Sequence, residues 1–235
     1  MTRKLALVTG GTRGIGAATA EALRQSAHDV IVTGRSSNGK PPDGCDYLAC
    51  DFSNLAAVGA LAEKAASLGL TVLVNNAGIN KVGPLVEYDV EDFARIQQVN
   101  VRAPFMLCQA VVPGMCKRGF GRIVNITSIW SVVSKAGRSA YSASKFGLFG
   151  LSRALALEVA AKNVLVNCVA PGVVDTELTR TVLGEKGIAE LVDRIPVGRL
   201  ARPEEIARYI RFLASEENTY MTGQNILVDG GFTCG

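Results

Sequence analysis

Short apolar runs alternate along the chain with longer stretches whose apolar residues recur every three or four positions. The runs Leu5–Thr9, Val30–Thr33, Tyr47–Cys50, Thr71–Val74, Ile123–Thr127, Val164–Val169 and Asn225–Val228 have the length of strands, all but Tyr47–Cys50 carry β-branched residues, and most are largely apolar, as strands covered on both faces are. Helical spacing fills Ala17–Ser26, Asn54–Leu68 with Ser53 or Asn54 as cap, and Val90–Lys117 with expected interruptions at Pro104 and Pro113. It returns from just after Gly137 to about Ala161, and in Pro203–Ser215, where proline suits the first helical position. Ser36–Asp46 holds paired prolines and two glycines and reads as an exposed loop. Asp175–Arg194 is mixed and polar and reads as a helical lid. Strands alternate with helices from end to end, with no repeat, linker or compositional break. That pattern predicts one domain over 1–235, an α/β doubly wound (Rossmann) parallel sheet of about seven strands with helices on both faces.

Composition narrows the function classes. The 25 basic and 21 acidic side chains leave a net charge of only +4, and no basic run of the kind that tracks nucleic acid occurs. No apolar stretch reaches the ~18 residues of a membrane span, and the run after Met1-Thr2-Arg3-Lys4 is too short for a signal region. The expectation is a soluble cytoplasmic protein with neither nucleic-acid nor membrane partners. The six cysteines form no C-x-x-C and no cluster with histidine, which fits reduced core thiols and no metal. The single histidine, His28, precedes a strand in a polar stretch, where a surface role is expected. A histidine-dependent triad would have to use that one residue.

Two segments carry chemistry. The first is Gly10-Gly11-Thr12-Arg13-Gly14-Ile15-Gly16, set between a strand and a helix. Strand, glycine turn and helix are the context of a dinucleotide phosphate site, because glycine lets the backbone approach the pyrophosphate and the helix N-terminus favours its charge. The other reading is a tight turn without ligand. An NAD site of this kind places an acid after the second strand. Here that place reads Gly34-Arg35-Ser36. Arg35 and Arg13 suit a 2′-phosphate, since guanidinium forks onto phosphate, so the cofactor inferred is NADP(H); solvated surface charge is the alternative for both.

The second segment is Tyr141-Ser142-Ala143-Ser144-Lys145, with Ser128 upstream, just past the fifth strand. A spacing of four puts Tyr141 and Lys145 on one helix face. A phenol is a poor acid–base catalyst at neutral pH unless tuned, and a nearby cation favours its ionised form. The pair reads as a tuned general acid/base, against the plainer reading of a half-buried Tyr beside a solvated Lys. Asn75-Asn76-Ala77-Gly78 ends the fourth strand at the ligand edge of such a sheet. Asn100, between two valines, fits either a satisfied interior amide or a hydrogen-bond relay.

Taken together, Thr9–Gly16, Asn75–Gly78, Asn100, Ser128, Tyr141-x-x-x-Lys145 and Pro171-Gly172 resemble the short-chain dehydrogenase/reductase family over nearly the whole chain. Within it the chain is most similar to 3-oxoacyl-(acyl-carrier-protein) reductases, through Arg199–Glu205 and Gly223–Gly231. The resemblance implies that Tyr141 donates a proton to the carbonyl oxygen and Ser128 holds that oxygen. Lys145 lowers the Tyr pKa and binds the nicotinamide ribose, and Asn100 anchors a water that relays protons to Lys145. Gly10, Thr12, Arg13, Gly14, Ile15 and Gly16 form the phosphate turn. Asp51 contacts the adenine, Asn76, Ala77 and Gly78 lie beside the adenosine ribose, and Pro171, Gly172 and Thr176 serve the nicotinamide end.

The resemblance further implies a lid over about 175–195 that closes on substrate, and basic residues Arg122 and Lys162 facing an acidic carrier protein; solvated surface charge is the alternative for both. It implies a homo-oligomer, tetramer or dimer, built on the Val90–Lys117 and Tyr141–Ala161 helices. Phe105, Met106, Phe146, Leu148 and Phe149 could face such a partner or the monomer core. One departure stands out: family members usually have a helix between the second and third strands, where this chain has only Ser36–Asp46. The activity implied is NADP(H)-dependent reduction of a 3-oxoacyl thioester, in fatty acid or polyketide-type metabolism. The alternatives are a dehydrogenase of a sugar, steroid or other secondary alcohol, and a cofactor sensor that kept the fold and lost the chemistry. A sensor should show a gap in the catalytic set, and none is visible.

Overall fold

Seven parallel strands form one sheet in the order β3-β2-β1-β4-β5-β6-β7. They are β1 (Leu5–Val8), β2 (Asp29–Gly34), β3 (Asp46–Ala49), β4 (Val72–Asn75), β5 (Gly121–Ile126), β6 (Val164–Pro171) and β7 (Asn225–Val228). The computed structural model describes residues 4–234; Met1, Thr2, Arg3 and Gly235, the ends of the expected domain, lie outside the described residues. Register follows burial: Leu7 lies beside Ile31 on one side and Leu73 on the other, and Leu73 beside Ile123. The chain steps outward from β1 to β3, returns to β4 and steps outward the other way. The carboxyl ends of β1 and β4 therefore flank the point where strand order reverses, where open parallel sheets bind ligands.

Helices cover both faces. On one, α2 (Leu55–Ser67), α4 (Ala103–Arg118) and α5 (Ser139–Val159) bury Val58, Leu61, Leu107, Val111 and Ala156 against Leu7, Leu73 and Ile123. On the other, α1 (Gly14–Gln25) and α7 (Pro203–Ala214) bury Leu23, Ile206, Ile210 and Leu213 against Val8, Val32 and Val74. Each large side chain so covered contributes roughly 1.5–3 kcal/mol. Asn54 caps α2 by accepting from the Ala57 N–H at 3.1 Å. Among the described residues no helix is long and apolar enough to cross a membrane.

No helix forms between β2 and β3, as expected from Ser36–Asp46. The long helical region divides differently from expectation. It splits into α3 (Val90–Gln97) and α4, joined by a π-helical turn at Gln98–Arg102. Pro104 falls where the π-helical turn passes into α4, so the helix runs through it, and its missing N–H coincides with the change of hydrogen-bond register there. Pro113 stays inside α4: it and Gln109, whose carbonyl loses its partner, are both exposed, so water replaces the bond.

Two surface expectations are corrected. His28 is buried, with Nδ1 3.2 Å from the Leu23 carbonyl at the end of α1. Arg122 is 2% exposed; its guanidinium donates to the carbonyls of Gly121, Asn163, Ser215 and Asn218 at 2.8–3.2 Å and cannot meet a carrier protein. Lys162 is exposed. Of the apolar side chains with two possible destinations, Leu148 is buried, Met106 and Phe149 are partly buried, and Phe105 and Phe146 remain half exposed. Residues 177–192 are helical as α6 (Glu177–Val192), broken at Gly184, whose φ of 63° lies outside the helical region.

Candidate active site

The glycine turn is held from β4. Thr9 Oγ1 accepts from the N–H groups of Asn76 at 2.9 Å and Ala77 at 3.0 Å, while Asn76 Nδ2 donates to the carbonyls of Thr9 at 2.9 Å and Gly10 at 3.0 Å. This clasp leaves no room for side chains. A Cβ on Gly16 would lie 2.3 Å from the Gly10 carbonyl oxygen, and Gly10 itself has φ 63°. The Asn76 amide is thus committed to backbone, a role that the strand-end pattern alone did not reveal.

Beyond the turn, α1 begins at Gly14 with no side-chain cap and no acid in its first turn. Its leading N–H groups suit a pyrophosphate. Thr12 packs beside Gly34, and Arg35 stands exposed just past β2. Asp51 accepts from the Ser53 N–H at 2.9 Å and hydroxyl at 2.7 Å; those bonds hold its carboxyl below its ordinary value, with a smaller pull from Arg35. Thr176 caps α6 and faces Gly14, and Gly172 is fixed by its N–H bond to the Val228 carbonyl at 3.0 Å. Pro171 ends β6 and is buried, and Ile15 is partly buried in the first turn of α1. The uncapped helix, the glycine clasp and two guanidiniums fit a dinucleotide.

The catalytic candidates gather beside this cradle. Ser128 lies just past β5, and Tyr141 and Lys145 share α5. Burial pushes the Tyr141 phenol above its ordinary value, while the Ser128 hydroxyl and the Arg138 guanidinium pull it back. The sequence pointed to Lys145 as the cation that lowers the phenol, and this is corrected: burial outweighs the opposing groups, and the charge that pulls the phenol down is that of Arg138. Lys145 Nζ lies 5.5 Å from the centre of the Tyr141 ring and donates to the Ile126 carbonyl at 2.7 Å. Burial lowers this amine to about 8.

Asn100 sits in the π-helical turn, a distortion often found at functional sites. Its Nδ2 donates to the Ile79 carbonyl at 2.9 Å and to Ser144 Oγ at 3.0 Å, and its Oδ1 accepts from the Ile79 N–H. It is a satisfied interior amide, yet it also borders the site: a Cβ on Gly78 would lie 3.4 Å from its Oδ1 and 3.6 Å from Lys145 Nζ. Asn100, Ser128, Tyr141 and Lys145 are therefore brought to one place, opening toward Gly78.

Sequence reasoning missed two residues there. Arg138 is buried at the start of α5, one turn before Tyr141, with its guanidinium carbon 5.8 Å from the Trp130 ring centre. An arginine directly after Gly137 and three residues before the tyrosine was the available signal. Trp130 is the chain's single tryptophan and follows Ser128 by two.

A family model described as enoyl-(acyl carrier protein) reductase matches residues 10–233. The chain is 38% identical over 237 residues to a 3-oxoacyl-(acyl-carrier-protein) reductase of Vibrio cholerae, covering 97% of this chain and 96% of that protein. It is 41% identical over 236 residues to an acetoacetyl-CoA reductase of Shinella zoogloeoides, covering 97% and 98%. Among solved structures it resembles a candidate NAD(P)-dependent gluconate 5-dehydrogenase from Beutenbergia cavernae with NADP bound at low occupancy. That match has TM-score 0.92 and 34% identity, over 99% of this chain and 97% of the other.

Proposed function

The chain belongs to the short-chain dehydrogenase/reductase family of oxidoreductases, which use a nicotinamide cofactor, and from that premise we propose that it is an NADP(H)-dependent reductase of 3-oxoacyl thioesters. The observation that carries the reading is the convergence of Ser128, Tyr141, Lys145 and Asn100 beside the glycine clasp. The names of the Vibrio and Shinella relatives support the acyl substrate. NADP bound in the Beutenbergia neighbour supports the cofactor.

Gly10, Thr12, Arg13, Gly14, Ile15 and Gly16 hold the cofactor's phosphates, Arg35 and Arg13 its 2′-phosphate, and Asp51 with Ala77 and Gly78 its adenosine. Asn76 acts through the turn it clasps. Pro171, Gly172 and Thr176 line the nicotinamide end. When bound, the nicotinamide supplies the hydride.

Ser128 orients the substrate carbonyl, and Tyr141 donates a proton to its oxygen. Tyr141 carries its proton at neutral pH, as a donor in reduction must; burial makes the phenol a weaker acid, and the Ser128 hydroxyl and the Arg138 guanidinium offset part of that. The Lys145 amine, near 8, binds ribose and refills the proton. Asn100 holds the Ile79 backbone and the Ser144 hydroxyl next to that amine, and positions the relay. Residues 175–195 act as the substrate lid. Phe105 and Phe146 offer apolar surface for a homo-oligomer, tetramer or dimer. Six free cysteines support a cytoplasmic setting.

A second reading, a dehydrogenase of a sugar-type secondary alcohol, is favoured by the gluconate dehydrogenase neighbour. The deciding experiment follows loss of NADPH or NADH absorbance with free and carrier-bound 3-oxoacyl thioesters, beside oxidation of a panel of sugars and secondary alcohols. Turnover of thioesters with NADPH supports the first reading. Turnover of the alcohols alone transfers support to the second.

A further inference from the structure

Two arginines are buried among the described residues, and they differ in what surrounds them. Arg122 has four backbone carbonyls to donate to. Arg138, 5% exposed, has none: its Nε lies out of reach of solvent with no acceptor, and no carboxylate pairs with its guanidinium. The groups that face it are the Trp130 ring, Tyr88 and Tyr141, none of them an anion at neutral pH. Burial correspondingly lowers its pKa. A buried cation without a partner is destabilising, because the lost hydration is not replaced. Trp130 recovers part of that through its ring face, but a ring accepts no conventional hydrogen bond from Nε.

A second observation points the same way. Arg138 is the N-cap residue of α5, whose start carries no side-chain cap and no acid in its first turn. The positive end of the helix therefore begins at the residue that carries the guanidinium. Tyr141 lies one turn further on, and its phenol and the Arg138 guanidinium are close enough to act on each other's titration, so one small substrate can meet both.

We propose that Arg138 binds a second oxygen function of the substrate, and that the site accordingly takes short oxo acids with a free carboxylate two carbons from the reacting carbonyl. This rests on the reading that a carbonyl is reduced at Tyr141. In a 3-oxoacyl thioester the thioester oxygen occupies the same place relative to the reacting carbonyl. A carboxylate there gains a charge-assisted bond that the neutral oxygen does not. Arg138 thus extends the substrate class from thioesters to the corresponding free acids.

The test compares acetoacetate with methyl acetoacetate, the same skeleton with and without the charge, using a 3-oxoacyl thioester as reference. With wild-type protein and NADPH, kcat/KM for the acid should exceed that for the ester by tenfold or more. Arg138→Gln should shrink that ratio by roughly 10- to 100-fold, the range of a hydrogen bond to a charged group, through KM on the acid rather than kcat. Arg138→Lys should restore part of it. Equal use of acid and ester by the wild type, or an unchanged ratio in Arg138→Gln, would overturn the proposal.

Loss of turnover on every carbonyl, thioester included, would instead be a failure of the reductase reading. Calorimetric binding of acetoacetate to the NADP-loaded protein then decides the role of Arg138 alone. Binding that weakens tenfold or more in Arg138→Gln supports it, and binding that is absent from the wild type or unmoved in the variant overturns it. The wild-type acid-to-ester ratio and the Lys variant keep the test open if Arg138→Gln fails to fold.

Discussion

Arg13 Nη1, in the turn after β1, donates to Glu177 Oε2, in the first turn of α6, at 2.6 Å. Both side chains are more than two-thirds exposed, at 70% and 68%. A pair so open to water contributes about 0–1 kcal/mol, so a doubly charged phosphate can displace Glu177. Arg35 forms no ion pair among the described residues and is the readier of the two phosphate ligands. Arg35→Ala should therefore raise KM for NADPH by roughly 10- to 100-fold, as expected for losing a charge-assisted bond, with a smaller change for NADH. Arg13→Ala should have the weaker effect. Steady-state kinetics with both cofactors check this. An unchanged NADPH-to-NADH ratio in Arg35→Ala would remove the phosphate assignment.

Replacing Tyr141 with Phe deletes one hydroxyl in a site otherwise intact. Removing a general acid lowers turnover by roughly a hundred- to ten-thousand-fold. NADPH affinity should stay within about threefold, since the phenol adds only one neutral hydrogen bond to that affinity. Absorbance assays and NADPH fluorescence titration measure the two quantities separately. Turnover near the wild-type level would refute the role of the phenol.

The strands were legible because those buried on both faces are written largely as apolar runs, as in Leu5–Val8 of β1 and Val72–Val74 of β4. The catalytic quartet was legible because its chemistry depends on residue type at fixed spacing. The missed features depend on how distant segments meet. Nothing local separates Arg122 from Lys162. One is buried because the carbonyls of Ser215 and Asn218, more than ninety positions away, converge on it. The same limit hid His28, Arg138 and the Asn76 clasp, whose partners lie on other elements. Proline misled in its own way: Pro113 would break a buried helix, but on the wet side of α4 it does not.

Arg122 also yields a prediction that separates structure from docking. Arg122→Met leaves buried carbonyls unpaired, at about 1–3 kcal/mol for each that water fails to reach. The urea midpoint should fall markedly. The ratio of activity on carrier-bound to free thioester should stay where it is, because the side chain never reaches the surface. A selective loss on the carrier-bound substrate with little change in midpoint would reinstate Arg122 as a docking residue.

The buried amine of Lys145 predicts how stability responds to pH. Its folded pKa, about 8, lies below the ordinary lysine value of 10.5, with burial as the cause. Below about 8 both folded and unfolded chains hold the proton, and the penalty for burying the charge is present in full. Between about 8 and 10.5 the unfolded chain binds more protons than the folded one, so the Lys145 contribution makes stability rise with pH. Lys145→Met removes this site and leaves the titrations of groups remote from it in common, its neighbour Cys168 being the one group on which its charge also acts. On going from about pH 7 to pH 10, stability should therefore shift in favour of the wild type relative to the variant. One pKa unit corresponds to about 1.4 kcal/mol, and water penetration trims the full difference, so a shift of roughly 1–3 kcal/mol is expected. The bond from Nζ to the Ile126 carbonyl offsets the comparison at one pH but does not reverse the slope. Urea melts of both proteins at the two pH values measure it. A constant difference would mean that the amine keeps an ordinary lysine pKa, and with it would go the proton reservoir assigned to Lys145 beside Tyr141.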